Sequence, residues 1–197
     1  MRNIQSKTIV FITGAFVGNN CWDEWRSYFE NKGFKTLAPP WPHKDASPEE
    51  LRNRQPDPGI ASIRLAALTE YFENIIRKLP EKPILIGHSM GGLITQILLQ
   101  RDLAVAGVAI HSVPPLGVFT FKLSFYKASW GALGFFTSAR KSFLMNFRQW
   151  QYAFTNTMNF EDQRKAYYNF AVPESKRLVR DGLTSAAKVD FSKPRGP

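Results

Sequence analysis

A serine set between two glycines is the residue of this sequence best suited to chemistry. The stretch PILIGHSMGGLITQIL runs from Pro83 to Leu98, and Ser89 at its centre fits the pattern Gly-x-Ser-x-Gly. A serine hydroxyl is a weak nucleophile unless a base lies within hydrogen-bond reach. The pattern therefore predicts covalent catalysis by Ser89 and raises the question of which residue acts as the base.

Three histidines are the candidates for that base. His43 lies in a polar loop beside Asp45 and could approach the catalytic side of a sheet. His88 occupies the variable position of the serine pattern and is expected to point into the fold as a structural residue. His111 is the only histidine after Ser89, and it is expected to line the pocket and contact substrate; a role as base stays open.

Strands and helices alternate around the serine. Short apolar, β-branched runs predict buried strands at 8–13, 34–40, 82–90 and 105–115. Apolar residues at helical spacing predict helices at 21–33, 60–79 and 91–101, whereas the proline-rich stretch 41–59 is expected to be mostly loop with one helical turn. This alternation predicts an α/β fold with a parallel sheet and right-handed crossovers.

The position of Ser89 between a strand and a helix makes the pattern specific. A sharp strand-to-helix turn would lift the hydroxyl to the top of the sheet. Gly87 and Gly91 are expected because a Cβ at either position would collide with the strained turn. The following helix would direct its N–H groups and positive dipole towards the reacting oxygen. The alternative is a serine that merely caps a helix.

The composition changes after residue 116. Sixteen of the 27 aromatic residues fall between Phe119 and Phe170, in a helical rather than an alternating pattern. We expect an α/β core at 1–116, a helical, aromatic-rich cap at 117–185, and a return at 186–197 towards a further core strand. Most of the aromatic residues are expected to form the cap's own core, and some to face the ligand-binding edge of the sheet.

Charge, motifs and cysteine content limit which binding partners, cofactors and cellular location the sequence predicts. The net charge is +10; residues 1–118 hold 13 basic and 11 acidic residues, and residues 119–197 hold 13 and 5. A solvated helix face explains this excess, although anionic substrates or lipid surfaces stay possible. No nucleic-acid motif, metal-ligand cluster or phosphate loop occurs, so no nucleic acid, metal or cofactor is expected. The single cysteine and the lack of a long apolar run predict a cytoplasmic protein without membrane insertion.

The stretches IVFITGAFVGNNCW and GHSMGGL resemble the α/β-hydrolase superfamily, in particular its compact, cap-bearing esterases, hydroxynitrile lyases and cofactor-free haloperoxidases. The resemblance implies the sheet order 4-3-5-6 in the numbering of that family, with its third strand at 8–13. It also implies an oxyanion hole formed by the backbone N–H groups of Ala15 and Met90, and substrate contacts by Phe16 and His111. Thr13 replaces the histidine that is common before the loop glycine, which leaves the backbone donors in place.

The sequence departs from the family in its catalytic acid and histidine. In the family these follow the serine, in the order acid and then histidine. No acid after Asp102 is followed by a histidine, and VDFSKPRGP stops where the next core strand is expected. The resemblance therefore implies that the last two strands, with the acid and histidine, are missing from this sequence. The strand at 105–111 is then expected to be a bare sheet edge.

Three functional hypotheses follow from the resemblance. The first is hydrolysis of a small or medium apolar carboxylic ester through an acyl-enzyme on Ser89. The second is a truncated, catalytically inert protein that binds a ligand or a partner. The third keeps the fold and changes the chemistry to cyanohydrin cleavage or perhydrolysis, and no residue of the sequence decides between it and the first.

Overall fold

Four parallel strands form the central sheet of the computed structural model, which describes residues 4–119, 121–134 and 136–192. The strands are β1 (Thr8–Ile12), β2 (Lys35–Leu37), β3 (Ile84–His88) and β4 (Ala106–Ile110). Their order is β2-β1-β3-β4, and every neighbouring pair is parallel. This order is the 4-3-5-6 order implied by the resemblance, so the predicted fold class is confirmed.

The helices between the strands follow the predicted alternation with two differences. They are a 3-10 turn (Asn19–Trp22), α1 (Asp23–Glu30), α2 (Pro48–Asn53), α3 (Pro58–Ser62), α4 (Leu65–Arg77) and α5 (Met90–Gln100). The prediction of a single helical turn in 41–59 is wrong, because the segment holds α2 and the start of α3. The predicted helix 60–79 begins five residues late, at Leu65.

Capping side chains explain the two short helices α2 and α3. The side chain of Ser47 accepts a hydrogen bond from the Glu50 N–H, and the side chain of Asp57 accepts one from the Ile60 N–H. A proline follows each cap at the first helical position, where its fixed φ favours a helix start. These two local signals are strong enough to begin two short helices.

The sheet is buried on both faces at β1, as its unbroken apolar sequence predicts. One face packs against α4 and α5 through fully buried residues such as Leu68, Phe72, Leu93 and Ile94. On the other face, Phe11 stacks on Trp22 with ring centroids 4.9 Å apart. The sheet is therefore a rigid base for the loops at its carboxyl edge, including the turn at Ser89.

The chain after β4 is mainly helical. It forms α6 (Leu123–Leu133), α7 (Phe147–Trp150), a π-helical turn (Gln151–Thr155), α8 (Phe160–Phe170), α9 (Lys176–Asp181) and a 3-10 turn (Ser185–Ala187). Two short strands, β5 (Ser142–Phe143) and β6 (Glu174–Ser175), pair antiparallel. The division into core and cap stays a prediction.

The expectation that most aromatic residues pack into a core of this segment is wrong for its first half. Phe119, Phe121 and Phe136 are each at least 79% exposed, whereas Trp150 is buried. The reason is geometric, since only the last residues of α6, Ala132 and Leu133, are buried.

Strand β4 is the open edge of the sheet. Its three central residues, Gly107, Val108 and Ala109, are exposed, and Val108 keeps 48% of its accessible surface. Among the described residues, β3 is its only strand partner. The predicted bare edge is therefore present, and such edges favour association with other strands.

Candidate functional site

Ser89 stands in a strained turn between β3 and α5. Its φ is 54° and its ψ is −114°, a conformation that residues with a Cβ rarely adopt. The Ser89 N–H donates to the Ile110 carbonyl at 2.9 Å, and the Ser89 carbonyl accepts from the Val113 N–H at 3.0 Å. The connection after β4 thus holds the turn on both sides, and the strand–serine–helix arrangement agrees with the sequence prediction.

Glycines allow three pieces of backbone to meet beside this serine. A Cβ on Gly87 would lie 2.2 Å from the Gly91 carbonyl oxygen, and a Cβ on Gly91 would lie 2.0 Å from the Ile12 carbonyl oxygen. A Cβ on Gly14 would lie 2.9 Å from the Cβ of Ser89. The loop at residues 13–18, which we call the oxyanion loop, therefore passes in direct contact with the serine turn.

The strain at Ser89 predicts a stability change on substitution. Ser89→Gly is expected to raise the free energy of unfolding by about 1 kcal/mol, because glycine adopts positive φ without steric cost. Ser89→Ala is the matched control, since alanine keeps the Cβ and hence the strain. Urea unfolding of both variants measures the difference, and equal stabilities would show that the turn is not strained.

Two backbone donors flank the turn. The Phe16 N–H is bound by a carboxylate oxygen of Glu174 at 3.2 Å, whereas within the described residues the N–H groups of Ala15 and Met90 have no hydrogen-bond partner. Met90 is the first residue of α5, where N–H groups lack partners within the helix. Ala15 and Met90 thus have the free donors that an oxyanion hole requires, and that role stays a prediction.

The two residues predicted to contact substrate lie in different surroundings. Phe16 is buried in the main core, with a φ of 69° and its ring edge-on to Phe143 at 6.1 Å between centroids. His111 is exposed at the end of β4, with a φ of 43°. The contacts of both residues with substrate stay predictions.

The Ser89 hydroxyl has no hydrogen-bond partner in the part of the chain that the structure describes, so none of the three histidines acts on it in this conformation. The His43 ring lies against Gly59, where an added Cβ would be 2.9 Å from its Cγ. The His43 carbonyl accepts a hydrogen bond from Arg54 at 2.6 Å. These two contacts hold the loop that carries His43 against Gly59 of α3 and against Arg54 at the end of α2.

His88 is half-buried next to the oxyanion loop, where a Cβ on Gly14 would lie 2.8 Å from its Nδ1. Burial lowers the pKa of His88 from its ordinary value of 6.5, and the nearby His111 lowers it further. The imidazole is therefore neutral at pH 7, as expected for a structural histidine rather than a charged one.

This lowered pKa gives the stability a pH dependence. Above about pH 6.5 His88 is neutral in both states; as the pH falls, the unfolded chain binds a proton before the folded one does, and the free energy of unfolding decreases. We expect His88→Gln to lose less stability than the wild type between about pH 7.5 and about pH 5. Urea unfolding at several pH values measures this, and parallel pH profiles would contradict it.

A buried ion pair beside the oxyanion loop was not predicted from the sequence. The Nζ of Lys44 lies 2.6 Å from a carboxylate oxygen of Glu174, and their side chains are 5% and 0% exposed. Burial lowers the pKa of Lys44, and the charge of Glu174 opposes that shift. The two residues are 130 positions apart, so no local pattern could have indicated the pair.

A cavity of about 310 Å³ lies between α6, β5 and the π-helical turn. Its lining combines apolar residues, among them Phe143 and Met145, with the basic residues Lys127 and Arg148. Phe143 also contacts Phe16 of the oxyanion loop, so one side chain separates the cavity from that loop.

The described residues contain neither a cluster of metal-binding side chains nor a helix that could span a membrane. Residues 4–119, 121–134 and 136–192 contain no group of three or more His, Cys, Asp or Glu side chains that could hold a metal ion. Within the same residues, no helix is both long enough and apolar enough to cross a bilayer.

Comparisons with known proteins agree with this architecture. An extracellular α/β-hydrolase from a Paenibacillus species superposes with a TM-score of 0.67 at 22% identity, covering 87% of this chain and 68% of its own. Tomato methylketone synthase I gives 0.67 at 16% identity, with 97% and 76% covered. Polyneuridine aldehyde esterase gives 0.62 at 16% identity, with 94% and 75% covered.

Sequence identities this low show that the fold is shared, and they do not show that the activity is shared. No curated protein sequence matches the chain. The sequence profile of the alpha/beta hydrolase family, however, matches residues 9–192, which include all of the sheet except Thr8, the Ser89 turn and the helices that follow β4. The chain therefore belongs to the alpha/beta hydrolase family.

Proposed function

We propose that this chain is a serine hydrolase that cleaves small or medium carboxylic esters with an apolar acyl or alcohol group. The observation that carries the proposal is the conformation of Ser89, a non-glycine residue kept at positive φ on a strand-to-helix turn. A turn of this kind exposes a hydroxyl at the carboxyl edge of the sheet, and the strain needed to keep it there is typical of functional sites.

In the proposed reaction, the Ser89 Oγ attacks the ester carbonyl carbon and forms a tetrahedral intermediate. The Ala15 and Met90 N–H groups stabilise the negative charge on its oxygen. The C–O bond to the alcohol then breaks, the alcohol leaves with a proton, and water hydrolyses the acyl-enzyme. A base must take the Ser89 proton during the attack and return it to the leaving alcohol. None of the three histidines of the chain contacts the Ser89 hydroxyl, so this base is not assigned to any of them.

The cavity next to Phe16 is the proposed site for the apolar part of the substrate. Its size, about 310 Å³, is at the lower end of the range for small-molecule pockets. Among the fold relatives, polyneuridine aldehyde esterase supports an ester substrate. Tomato methylketone synthase I, crystallised with β-ketoheptanoate and with 2-tridecanone, supports an apolar chain in the substrate. Lys127 and Arg148 at the cavity would favour ligands with a negative charge or a polar end. A cytoplasmic location stays a prediction.

A second candidate function is binding without catalysis. It is favoured by one observation, the absence of a hydrogen-bond partner for the Ser89 hydroxyl among the described residues. In that case the cavity would hold an apolar ligand, and the strained turn would serve no reaction.

Hydrolysis of p-nitrophenyl esters with acyl chains of increasing length separates the two candidates. The proposal predicts turnover by the wild type, a preference for medium chains, and a loss on the order of 10³-fold or more in Ser89→Ala. The binding candidate predicts equal background rates for both proteins, with medium-chain ligands still bound.

A further inference from the structure

A buried acid and a buried base lie directly beneath the oxyanion loop, and nothing in the proposed reaction uses them. One carboxylate oxygen of Glu174 accepts two hydrogen bonds. One comes from the Lys44 Nζ at 2.6 Å, and the other comes from the Phe16 N–H at 3.2 Å. The other oxygen accepts the Ser175 N–H at 2.8 Å. The Lys44 Nζ also lies 4.4 Å from the centroid of the Trp41 ring. The carboxylate is therefore fully hydrogen-bonded and neutralised without contact with solvent.

The same part of the chain holds the oxyanion loop at two further points. The Phe16 carbonyl accepts a hydrogen bond from the Val172 N–H at 3.0 Å, and the Gly18 N–H donates to the Phe170 carbonyl at 2.8 Å. Between them, Val17 and Ala171 form an isolated antiparallel bridge. Residues 170–174 thus form a short backing for the loop, and Glu174 is the charged end of that backing.

Phe16 needs such support because its own backbone does not favour the observed conformation. Its φ of 69° lies in a region that a residue with a Cβ seldom adopts, so the surrounding contacts must hold it there. The Phe16 N–H belongs to the peptide unit that directly follows Ala15. The Ala15 N–H, the predicted oxyanion donor of this loop, belongs to the peptide unit before it. The two units share the Ala15 Cα, so a contact that fixes the Phe16 N–H also restrains the Cα next to that donor.

We propose that Glu174, fixed by its contact with Lys44, is a positioning residue of the oxyanion hole: it holds the Phe16 N–H and thereby restrains Ala15, whose N–H is the predicted oxyanion donor. This inference deepens the proposed function and rests on it for its catalytic consequence. Its structural part, the restraint of Phe16 by Glu174, stands on the hydrogen bond alone. The helical segment after β4 is thereby linked to the transition-state site through one carboxylate.

Two double variants separate this role from general stabilisation by an ion pair. Lys44→Met with Glu174→Gln removes both charges but keeps a side-chain oxygen that can accept from the Phe16 N–H. Lys44→Met with Glu174→Met removes the charges and the acceptor. Both variants leave the Ser175 N–H without an acceptor. The first also leaves the new amide NH2 unpaired and the second leaves the Phe16 N–H unpaired, so comparable losses of stability are expected from both. Only the second releases Phe16.

Amide hydrogen exchange of Ala15 and Phe16, measured by NMR under native conditions, is the first readout. The proposal predicts Phe16 exchange about tenfold faster in the acceptor-free variant than in the acceptor-keeping variant, the effect of one lost hydrogen bond. The second readout is the rate at which a fluorophosphonate probe labels Ser89. It is expected to be about tenfold to hundredfold lower in the acceptor-free variant, because a displaced donor stabilises the transition state poorly.

Each outcome decides the proposal. Equal exchange in the two variants would overturn it, and so would different exchange with equal labelling rates, since the loop would then be held without effect on the donor. If the wild type itself is not labelled, the proposed function fails, and the exchange comparison alone supports or overturns the restraint of Phe16 by Glu174.

Discussion

Gly91→Ala is expected to destabilise the protein by about 3–5 kcal/mol, a large share of the stability of an ordinary domain. The added Cβ would lie 2.0 Å from the Ile12 carbonyl oxygen and 2.7 Å from the Thr13 carbonyl oxygen. Both obstacles are backbone atoms at the end of β1, so no side chain can move aside. Either α5 must shift away from the sheet or β1 must move, and both changes separate the Ser89 turn from the oxyanion loop.

Gly182→Ala is the matched control for this prediction. Gly182 has a φ of −58°, and an added Cβ would come no closer than 3.2 Å to another atom. A change within about 1 kcal/mol is therefore expected there. Urea unfolding of the two variants and the wild type gives the comparison. Similar stabilities for Gly91→Ala and Gly182→Ala would show that the first turn of α5 does not press on β1 as described.

Glu174→Met is expected to cost about 3–5 kcal/mol, because it leaves the Lys44 amine almost fully buried without its charged partner. The variant with methionine at both positions removes that amine as well. It should lose less, because only the Phe16 and Ser175 N–H groups are then without an acceptor. The double variant is therefore expected to be more stable than the single one, although it changes more residues.

A double-mutant cycle in urea measures this coupling, with Lys44→Met as the third corner. Strong non-additivity is expected, since the two side chains touch and share one buried environment. If the losses from Lys44→Met and Glu174→Met simply added, the two side chains would not be coupled, and the mutual stabilisation of the buried pair would be contradicted.

The sequence predicts the sheet of this protein well because its signals are local. Each strand is a short apolar run bounded by turn residues, and the order of the strands follows from right-handed crossovers and from the family resemblance. The serine turn is equally predictable, since Gly87 and Gly91 must fall at fixed distances from Ser89. Even the error in 41–59 has local signals, the caps Ser47 and Asp57, each followed by a proline.

The supports of the site are not predictable in this way. Glu174 acts on Phe16, 158 positions earlier, and on Lys44, 130 positions earlier, so neither spacing nor composition can show the contact. Asp181 similarly pairs with Arg64 at 2.7 Å and accepts the Leu65 N–H at 3.0 Å, which fixes where α4 begins. Long-range contacts of this kind decide how the loops are held, and only the folded chain displays them.

The exposed aromatic residues of the segment after β4 illustrate the same limit. A helical pattern of apolar residues predicts a helix with a buried face, but it does not say what covers that face. In α6 the first turns, which include Leu123 and Phe125, are exposed among the residues that the structure describes. The open edge at β4, where Val108 is exposed, is a second apolar surface of this kind.

An activated Ser89 hydroxyl would react with a fluorophosphonate probe, and the intact mass of the treated protein records that reaction. We expect a mass increase of one adduct per chain, which peptide mapping locates on Ser89. The adduct should be absent in Ser89→Ala and retained in Ser112→Ala. A chain that gains no adduct, or that keeps its adduct in Ser89→Ala, would contradict this activation and leave a hydrolase fold that binds without reacting.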